Sequence, residues 1–506
     1  MSSGRLSVLA AAGEAPDRLA LIAADRPYTF EELGRAVRSA AGWLTGRLEQ
    51  EGGTIESWEP RPGIATGPPR APVVAVVAER TLETVAILLA LFELGVPALL
   101  LHARLTPAER QVWVGRLGPT LLLTVRDTVD AIGGPERTES VAGQPPGAGQ
   151  PPVAGGPPVA GRPLPAEAVM AMVPTSGSAG EPKATLVSRR AFLASAAASA
   201  ANLGWEEDDR WMLGLPLAHV GGLSVLVRSL IARRCVVLGA PGGFDPERMA
   251  EDLERHRVTL LSLVPPMLES LLDLRPAWRP PSHLRALLLG GGPAQRRLLE
   301  RAAERGVPVL TTYGLTETCS QVTTQRYGTV NRGELGSGAP LDGVEVRIMD
   351  GEIQLRGPML ASGYLTSRGV IPVADSEGWL HTGDEGELDG AGRLHVRGRM
   401  DRLIVTGGEN VDPHEVEAAM ESLESVRAAV VFGVEDPMWG QVVAVALVAE
   451  GDPPPAADLR ERLAARLAPH KGPRLFCFLE ALPMTAAGKV DLPLAEAAAR
   501  AHLRPL

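Results

Sequence analysis

The strongest constraint on the fold is an alternation of short apolar runs with longer amphipathic runs over about the first 300 residues. APVVAVVA (71–78) is continuously apolar, as expected for a strand that is buried on both faces. It precedes the helix-like run RTLETVAILLALFELG (80–95) and then VPALLLH (96–102), which resembles a second strand. Units of strand, helix and strand form mostly parallel sheets that helices cover.

The same alternation returns further along the chain. It is seen in the runs RCVVLG (234–239), DPERMAEDLERHR (245–257), VTLLSLVP (258–265), LRALLLGG (284–291), PAQRRLLERAAERG (293–306) and VPVLTTYG (307–314). We therefore predict an α/β fold, with a large N-terminal domain built from parallel-sheet α/β subdomains.

The pattern changes after this region. From Leu335 to about Arg397, short alternating strands with turn residues predict a small β-rich subdomain, in which Asp350-Gly351 forms a two-residue hairpin turn. The final hundred or so residues mix helical runs with strands such as QVVAVALVAE, which predicts a small α+β domain. A chain of 506 residues is also too long for one ordinary hydrophobic core.

Composition excludes several classes of function. The formal net charge of −10 and the interspersed charges argue against a nucleic-acid-binding protein. No apolar run approaches the ~20 residues of a spanning helix, so we expect no membrane span. The three cysteines lie far apart and match neither a metal cluster nor a disulfide framework, so we expect a cytoplasmic protein. Segments near 49–70 and 132–165, rich in Gly and Pro, are expected to be surface loops or disordered insertions.

A loop of small and hydroxylated residues, TSGSAGEPK (175–183), directly follows the apolar run VMAMVP. Small residues let the backbone approach a ligand, and successive N–H groups can form an anion-binding nest. Lys183 adds charge, and it is one of only three lysines among the 50 basic residues. The loop predicts a phosphate site, with a plain surface turn as the alternative. It is not a Walker A loop, since the G-x4-G-K-[ST] spacing is absent.

Seven segments in a fixed order point to a family. They are TSGSAGEPK, LPLAHVGGL, LLLGGGP, TTYGLTETCSQ, GWLHTGDEGEL, GRMDRLIVTGGENVDPHEVE and PMTAAGKVDLP. In this order they resemble the adenylate-forming superfamily of acyl- and aryl-CoA ligases, peptide-synthetase adenylation domains and luciferases. The resemblance implies an N-terminal domain over residues 1–400 and a small, mobile C-terminal domain over residues 401–506. It also implies ATP and Mg²⁺ and, for a CoA ligase, coenzyme A.

The resemblance implies an ATP site drawn from several segments. The implied phosphate-loop residues are Thr175, Ser176, Gly177, Ser178, Gly180 and Lys183. Ser178-Ala179 stands where the family usually has two threonines, so one hydroxyl is missing. The glycines Gly290, Gly291 and Gly292 are similar to a backbone wall that lies beside adenine and the acyl group.

The segment TTYGLTE is similar to the part of the family's site that meets adenine, the α-phosphate and the metal. Tyr313, followed by Gly314, is similar to the residue that lies against adenine. Thr316 is similar to a donor to the α-phosphate, and Glu317 to the Mg²⁺ ligand. A carboxylate oxygen is the hard ligand that Mg²⁺ requires.

The remaining nucleotide residues come from the last third of the chain. Asp384 is similar to the residue that accepts both ribose hydroxyls, and Arg399 to a donor to the same sugar. Lys489 is similar to the C-terminal-domain lysine that reaches the site during adenylation. Asp401 matches the family's hinge, about which the small domain rotates. The segment with Gly407 and Gly408 would then replace the lysine and leave room for the pantetheine arm of CoA.

The segment TETCSQVTT resembles 2-succinylbenzoate–CoA ligases of menaquinone biosynthesis. His219 is similar to the family's pocket histidine, and Arg228 lies nine residues further along the helix that follows it. A guanidinium is suited to pair with the second carboxylate of such a substrate. The alternative is that Arg228 is a helix charge facing solvent. Cys319 is expected to line the pocket and not to act as a nucleophile, since the chemistry needs no covalent enzyme intermediate.

The predicted reaction converts 2-succinylbenzoate, ATP and CoA into 2-succinylbenzoyl-CoA, AMP and diphosphate, with Lys489, His219, Thr316 and Glu317 as candidate catalytic residues. The alternatives are a ligase for another aryl or acyl acid, an adenylation enzyme that charges a separate carrier protein, and a nucleotide-binding protein without turnover. The joint retention of the ATP-site residues counts against the last. The sequence leaves oligomeric state open, with a homo-oligomer as one alternative.

Overall fold

The structure is a computed structural model. It describes residues 6–52, 72–132, 164–176, 182–274, 278–329, 336–366, 369–402, 404–406, 409–436, 439–464, 466–467, 471–485 and 489–506. The predicted insertions near 49–70 and 132–165 lie mostly outside these residues, although the helix before the first insertion continues to Gln50.

The strands follow one another along the whole chain. In chain order they are β1 (Leu19–Ala23), β2 (Arg26–Thr29), β3 (Val74–Ala78), β4 (Ala98–His102), β5 (Leu121–Leu123), β6 (Val169–Ser176), β7 (Pro182–Ser188), β8 (Arg210–Leu213), β9 (Cys235–Leu238), β10 (Leu260–Leu263), β11 (Ala286–Leu289), β12 (Val309–Leu315), β13 (Ser320–Thr324), β14 (Ala339–Pro340), β15 (Glu345–Met349), β16 (Glu352–Arg356), β17 (Gly363–Thr366), β18 (Gly369–Ile371), β19 (Leu380–Leu388), β20 (Leu394–Arg399), β21 (Ile404–Thr406), β22 (Glu409–Val411), β23 (Val426–Asp436), β24 (Gly440–Ala449), β25 (Leu475–Phe478) and β26 (Arg504–Pro505).

The helices alternate with these strands. They are α1 (Val8–Glu14), α2 (Phe30–Gln50), α3 (Leu82–Leu94), α4 (Pro107–Leu117), α5 (Val125–Ala131), α6 (Arg189–Leu203), α7 (Val220–Ala232), α8 (Pro246–Arg255), α9 (Pro265–Leu274), α10 (Arg296–Glu304), α11 (Pro413–Glu421), α12 (Ala456–Ala464) and α13 (Leu492–Arg500), with 3-10 turns at Thr316–Thr318, Tyr327–Thr329 and Met400–Arg402.

Two large sheets form the N-terminal part. Within the described residues, one sheet has nine strands in the order β14-β13-β12-β11-β10-β8-β9-β1-β2, and the other has seven in the order β18-β17-β7-β6-β4-β3-β5. Strands β12, β11, β10, β8, β9 and β1 of the first sheet are parallel, as are β6, β4, β3 and β5 of the second. The predicted parallel α/β architecture is therefore confirmed, with antiparallel strands only toward the edges.

Helix α3 illustrates how the sequence determines these units. The Thr81 hydroxyl accepts a hydrogen bond from the backbone N–H of Thr84 at the start of the helix, and Gly95 ends it with a left-handed φ of 70°. Every residue from 84 to 92 is buried, as expected for a helix that is apolar on all faces. The hydrophobic core around this helix is built mainly from Leu, Val and Ala, in keeping with an aromatic content of only 4% in the whole chain.

Two smaller sheets follow. Strands β15-β16-β19-β20 form an antiparallel sheet, and Asp350 and Gly351 connect the first two with φ values of 50° and 84°, as a primed hairpin turn requires. From Ile404 onward, β21 to β26 form a sheet packed with α11, α12 and α13. This confirms the predicted β-rich subdomain and α+β unit, while the domain boundary at residue 401 stays a prediction. No helix within the described residues is long and apolar enough to cross a membrane.

Candidate active site

The predicted nucleotide-binding residues come together from three sheets. Tyr313 lies in β12, Asp384 in β19 and Lys183 in β7, while Thr316 and Glu317 form the 3-10 turn that follows β12. Two tyrosine hydroxyls connect these elements, one to Asp384 and one to Glu317. The arrangement brings together Tyr313, Asp384, Glu317 and Lys183, four of the residues that the family resemblance implied.

Asp384 is the most buried acidic group of the cluster, with 7% of its surface exposed. Its Oδ2 accepts a hydrogen bond of 2.6 Å from the Tyr313 hydroxyl, and its Oδ1 accepts one of 3.2 Å from Arg399 Nη1. Burial and the neighbouring Asp384 raise the pKa of Tyr313, so the phenol stays protonated and donates. A carboxylate offers about four acceptor positions, and ribose hydroxyls are suitable further donors to this one.

Glu317 is connected to the phosphate-loop lysine through a residue that sequence reasoning missed. The Tyr364 hydroxyl donates to Glu317 Oε1 at 3.0 Å, and Lys183 Nζ lies 3.5 Å from the centroid of the Tyr364 ring. Thr175 donates from its hydroxyl to the Lys183 carbonyl at 3.2 Å, which closes the base of the loop. Ser176 belongs to β6 by its backbone, while Gly177, Ser178 and Gly180 lie outside the described residues.

Glu317 is also the residue that fits Mg²⁺. In the part of the chain that the structure describes, its carboxylate accepts only the Tyr364 hydroxyl and forms no ion pair with a basic side chain. A carboxylate oxygen that is not already neutralised is the ligand that Mg²⁺ prefers.

A second acidic group, Asp25, Asp252 and His256, does not fit a metal. Arg248 and Arg255 already pair with Asp25, at 3.1 Å and 3.2 Å. Two guanidinium cations in this position would repel a metal ion, so the group is an ion-pair network.

The glycines after β11 lie close to β12. A Cβ on Gly290 would lie 2.7 Å from Thr312 Cγ2 and 3.0 Å from the Thr312 carbonyl oxygen, so a side chain is excluded there. Gly291 and Gly292 continue the same turn. The absence of a side chain at Gly290 lets the backbone of the predicted wall lie against Thr312, the residue before Tyr313.

Gly314 provides a direct test of the close packing in this region. A Cβ at this position would lie 1.8 Å from the Ser320 carbonyl oxygen, where β12 pairs with β13. Because backbone atoms must move to relieve the overlap, we expect Gly314→Ala to lower the free energy of unfolding by about 1–3 kcal/mol and to weaken ATP binding. Thermal unfolding and calorimetric titration with ATP measure both effects.

Gly46→Ala is the matched control for this substitution. Gly46 lies within α2 and a Cβ there would meet nothing within 4 Å, so alanine should raise stability by roughly 0.5–1 kcal/mol and leave ATP binding unchanged. Equal behaviour of the two variants would contradict the proposed packing role of Gly314.

Lys489 lies close enough to the cluster to interact with it electrostatically. Lys489 is exposed as a residue, but surrounding protein atoms desolvate its ammonium and lower its pKa, while Asp384 and Glu317 raise it. The Thr485 hydroxyl accepts a hydrogen bond of 3.2 Å from the Lys489 backbone N–H. The C-terminal unit is therefore oriented with its lysine toward the predicted nucleotide residues.

His219 immediately precedes α7 and faces His102, with ring centroids 5.4 Å apart. The pKa of His219 is lowered to about 4. Burial is the largest cause, and electrostatic repulsion from His102 and then from Lys489 adds to it. Its Nε2 is buried and has no hydrogen-bond partner in the described residues. At neutral pH the imidazole is uncharged, so it can contact a substrate through hydrogen bonding but supplies no positive charge.

Arg228 is a buried cation without a described counter-ion. It is 4% exposed, which argues against the alternative of a helix charge facing solvent. Its Nη1 donates to Gln321 Oε1 and its Nη2 donates to the Ser195 hydroxyl at 3.0 Å, while Nε is buried without a partner. Burial lowers the pKa of Arg228 to about 10, so it remains protonated near neutral pH. The described residues place no carboxylate beside it, so no ion pair among them compensates its charge.

The Cys-Ser-Gln run connects this cation to Glu317. Cys319 and Ser320 have φ values of 53° and 88°, which are unusual for residues with side chains. The Ser195 hydroxyl donates to the Cys319 carbonyl at 2.9 Å and holds the turn. Burial raises the pKa of the Cys319 thiol to about 12, which argues against a nucleophilic role, while the pocket-lining role stays a prediction.

Comparison with known proteins places this fold and site in a family. Residues 64–365 match the AMP-binding enzyme family, and residues 415–489 match the AMP-binding enzyme C-terminal domain. The chain belongs to the AMP-binding enzyme family.

Within this family the chain is similar to one kind of ligase. The 2-succinylbenzoate–CoA ligases of Bacillus licheniformis and Bacillus subtilis are both 35% identical to it, over 94% of this chain and 96% and 94% of theirs. The solved structure of o-succinylbenzoate CoA synthetase from Bacillus subtilis in complex with the acyl-adenylate intermediate has a TM-score of 0.78 and 31% identity, with 96% of each chain covered. The same enzyme in complex with ATP and magnesium ion has a TM-score of 0.78 and 30% identity, over 97% of this chain and 98% of the other.

Proposed function

We propose that this protein is a 2-succinylbenzoate–CoA ligase that forms 2-succinylbenzoyl-CoA, AMP and diphosphate from the acid, ATP and CoA. The observation that supports this substrate is the buried Arg228, which only neutral groups contact among the described residues. Isolated buried cations are costly, whereas a cation that pairs with a substrate carboxylate is compensated. A dicarboxylic acid can present one carboxylate for adenylation and leave the other for Arg228.

In the first half-reaction, a carboxylate oxygen of the acid attacks the α-phosphorus of ATP. An oxygen–phosphorus bond forms, the bond to the β-phosphate oxygen breaks, and pyrophosphate leaves. Asp384 and Arg399 would bind the ribose, Thr316 would donate to the α-phosphate, and Lys489 would stabilise the charge that develops between acid and phosphate. Mg²⁺ held by Glu317 would supply charge neutralisation on the phosphates.

In the second half-reaction, the thiolate of CoA attacks the acyl carbon, a carbon–sulfur bond forms, and AMP leaves. Here we propose that the C-terminal unit rotates about Asp401 so that the segment of Gly407 and Gly408, which lies outside the described residues, replaces Lys489. Arg399 on one side of this position contacts Asp384, and Arg402 on the other contacts Glu417 at 2.9 Å. Asp401 therefore lies between two arginines that are anchored in different units.

The hinge assignment can be tested by Asp401→Pro. Proline fixes φ near −65° and removes the backbone N–H, which restricts rotation at this residue. We expect thioester formation from supplied acyl-adenylate to slow about tenfold or more, with adenylation changed by less than about threefold. Asp401→Ala, which keeps backbone freedom, should leave both steps near the wild-type rate. If the proline variant retained both activities, rotation at this position would be excluded.

The expected cytoplasmic location agrees with the free, buried cysteines Cys235, Cys319 and Cys477. Whether the chain forms a homo-oligomer is a separate question, which analytical ultracentrifugation answers directly.

Pyrophosphate release with a panel of acids, with and without CoA, tests the proposed function. We expect release with 2-succinylbenzoate above all other acids, and CoA-dependent appearance of the thioester by mass spectrometry. Preference for another aryl or acyl acid would show that this acid, and not 2-succinylbenzoate, is the substrate. Release without thioester formation would indicate a carrier-protein-charging enzyme, and no release with any acid would indicate a binding protein.

A further inference from the structure

A carboxylate outside the predicted site holds the backbone next to Asp384. Glu352 Oε1 accepts a hydrogen bond of 2.9 Å from the backbone N–H of Gly383, and Glu352 Oε2 lies 2.9 Å from His381 Nδ1. On the other side of the imidazole, His381 Nε2 lies 3.1 Å from Asp375 Oδ2. The chain of contacts thus runs from Asp375 through His381 and Glu352 to the peptide that precedes Asp384.

The Glu352 carboxylate would destabilise the fold at this position if it had no hydrogen-bond donors around it. Its side chain is only 16% exposed, and in the register of β16 and β19 it lies opposite another carboxylate, that of Glu385. Like charges in directly opposed positions destabilise a sheet. The Gly383 N–H, the Gln354 amide and His381 supply the compensating donors.

The same contacts restrict the conformation of the turn that precedes Asp384. Gly383 has a left-handed φ of 67°, and a Cβ there would lie 3.1 Å from Arg399 Nη2. The Thr382 hydroxyl accepts from the Asp384 backbone N–H at 3.0 Å and donates to the Ile353 carbonyl at 2.6 Å. Arg399 Nη1 also donates to the Thr382 carbonyl at 2.8 Å. The peptide between Thr382 and Gly383 is therefore held at both polar groups, by Arg399 at its carbonyl and by Glu352 at its N–H.

We propose that Glu352, supported by His381 and Asp375, is a positioning residue that orients Asp384 to accept the ribose hydroxyls of the nucleotide. The proposal rests on ribose binding by Asp384 but does not depend on the identity of the acid. Hydrogen bonds from Tyr313 and Arg399 fix the Asp384 carboxylate. Hydrogen bonds to Glu352 and Thr382 fix the backbone that carries it.

The protonation of His381 makes this support depend on pH. Hydrogen bonds to Asp375 and Glu352 raise the pKa of His381 above its usual value. Burial raises the pKa of Glu352, but hydrogen bonds from Gln354, Gly383 and His381 outweigh it and lower the pKa. A hydrogen bond from the Trp379 backbone lowers the pKa of Asp375.

The direction of the effect follows from these shifts. The charged pair of His381 and Glu352 is complete below the folded pKa of the imidazole and is lost as pH rises through it. Further charged side chains near the network, among the residues that the structure describes, are Glu385, opposite Glu352, and Arg347, which donates to Gln354 and lies 3.9 Å from Glu377. Arg397 lies 3.7 Å from Glu385.

The test is calorimetric binding of AMP and of 2′,3′-dideoxy-AMP from pH 7 to 9.5, above the second pKa of the phosphate. Because positioning transmits only part of the strength of a hydrogen bond to a charged group, we expect His381→Ala to raise the Kd of AMP about 3–10-fold at pH 7. The Kd of the dideoxy nucleotide should change less than about twofold, since it lacks the hydroxyls that Asp384 accepts.

Two further variants separate positioning from a general effect on folding. In the wild-type protein we expect the Kd of AMP to rise toward pH 9.5 as His381 loses its proton. His381→Arg keeps a positive charge at all these pH values, so it should preserve tight AMP binding and remove this rise. Glu352→Gln should weaken AMP binding at pH 7 and also flatten the pH profile. Equal losses for AMP and dideoxy-AMP in His381→Ala, or a wild-type pH profile in His381→Arg, would overturn the proposal. Because acid and CoA are absent, neither result depends on the substrate assignment.

Discussion

Lys489→Ala is expected to slow adenylate formation about 10²–10³-fold, because a well-placed charge of this kind contributes about 3–4 kcal/mol to transition-state stabilisation. The ammonium interacts electrostatically with both Asp384 and Glu317, the residues proposed to bind ribose and Mg²⁺. Charge moves onto the departing pyrophosphate as the reaction proceeds. A cation here stabilises the transition state more than the bound substrates.

The two half-reactions should respond differently to this substitution. Rapid-quench measurement of acyl-adenylate gives the first rate, and thioester formation from supplied acyl-adenylate gives the second, which we expect to stay within about threefold of wild type. Lys471→Ala is the matched control, since Lys471 belongs to the same unit but pairs with Glu415 at 2.5 Å. Equal slowing of both half-reactions by Lys489→Ala would refute the assignment.

Arg228→Gln is expected to reduce kcat/KM for 2-succinylbenzoate about 10²–10³-fold. Removing one partner of a buried ion pair costs about 3–5 kcal/mol, and here the unpaired partner would be the free carboxylate of the substrate. The loss should be specific to the dicarboxylic acid. The acids 4-oxo-4-phenylbutanoate and 2-butanoylbenzoate each lack one of the two carboxylates. For whichever of the two is the better substrate of the wild-type protein, Arg228→Gln should reduce kcat/KM less than about tenfold.

A buried arginine can also matter for folding, so a control is needed. Arg233 ends the same helix as Arg228, is 9% exposed and pairs with Glu14 at 3.0 Å. Arg233→Gln should lower thermal stability at least as much as Arg228→Gln while preserving the ratio of kcat/KM between the diacid and the monoacids. If Arg228→Gln left the ratio of kcat/KM between the diacid and the monoacids unchanged, this guanidinium would not bind the second carboxylate of the substrate.

Local sequence patterns predicted much of the fold because helix ends, hairpin turns and buried strands depend mainly on residues that are close together in the sequence. The helix from 82 to 94 ends at Gly95 because that residue adopts a left-handed φ, and Asp350-Gly351 makes a hairpin for the same reason. Continuous apolar runs became buried parallel strands. The order of the motifs then implied which residues would meet nucleotide, and the structure brings Tyr313, Asp384 and Glu317 together.

What the sequence could not predict depends on distant pairing. Tyr364 meets Glu317 and Lys183 only because β17 pairs with β7, two strands separated by more than 170 residues. The contact between Arg228 and Gln321 likewise requires α7 to pack against β13, and Glu352 reaches Gly383 across two strands of the β-rich sheet. Neither periodicity nor capping residues determine such pairings, because they arise from the packing of whole sheets.

The most direct test of the central claim is a crystal structure with a sulfamoyl adenosine analogue of 2-succinylbenzoyl-AMP. The account predicts that the ribose hydroxyls donate to Asp384 and that the free carboxylate of the acyl group lies within about 3 Å of the Arg228 guanidinium. An analogue bound with its free carboxylate in solvent, or with its ribose away from Asp384, would contradict it.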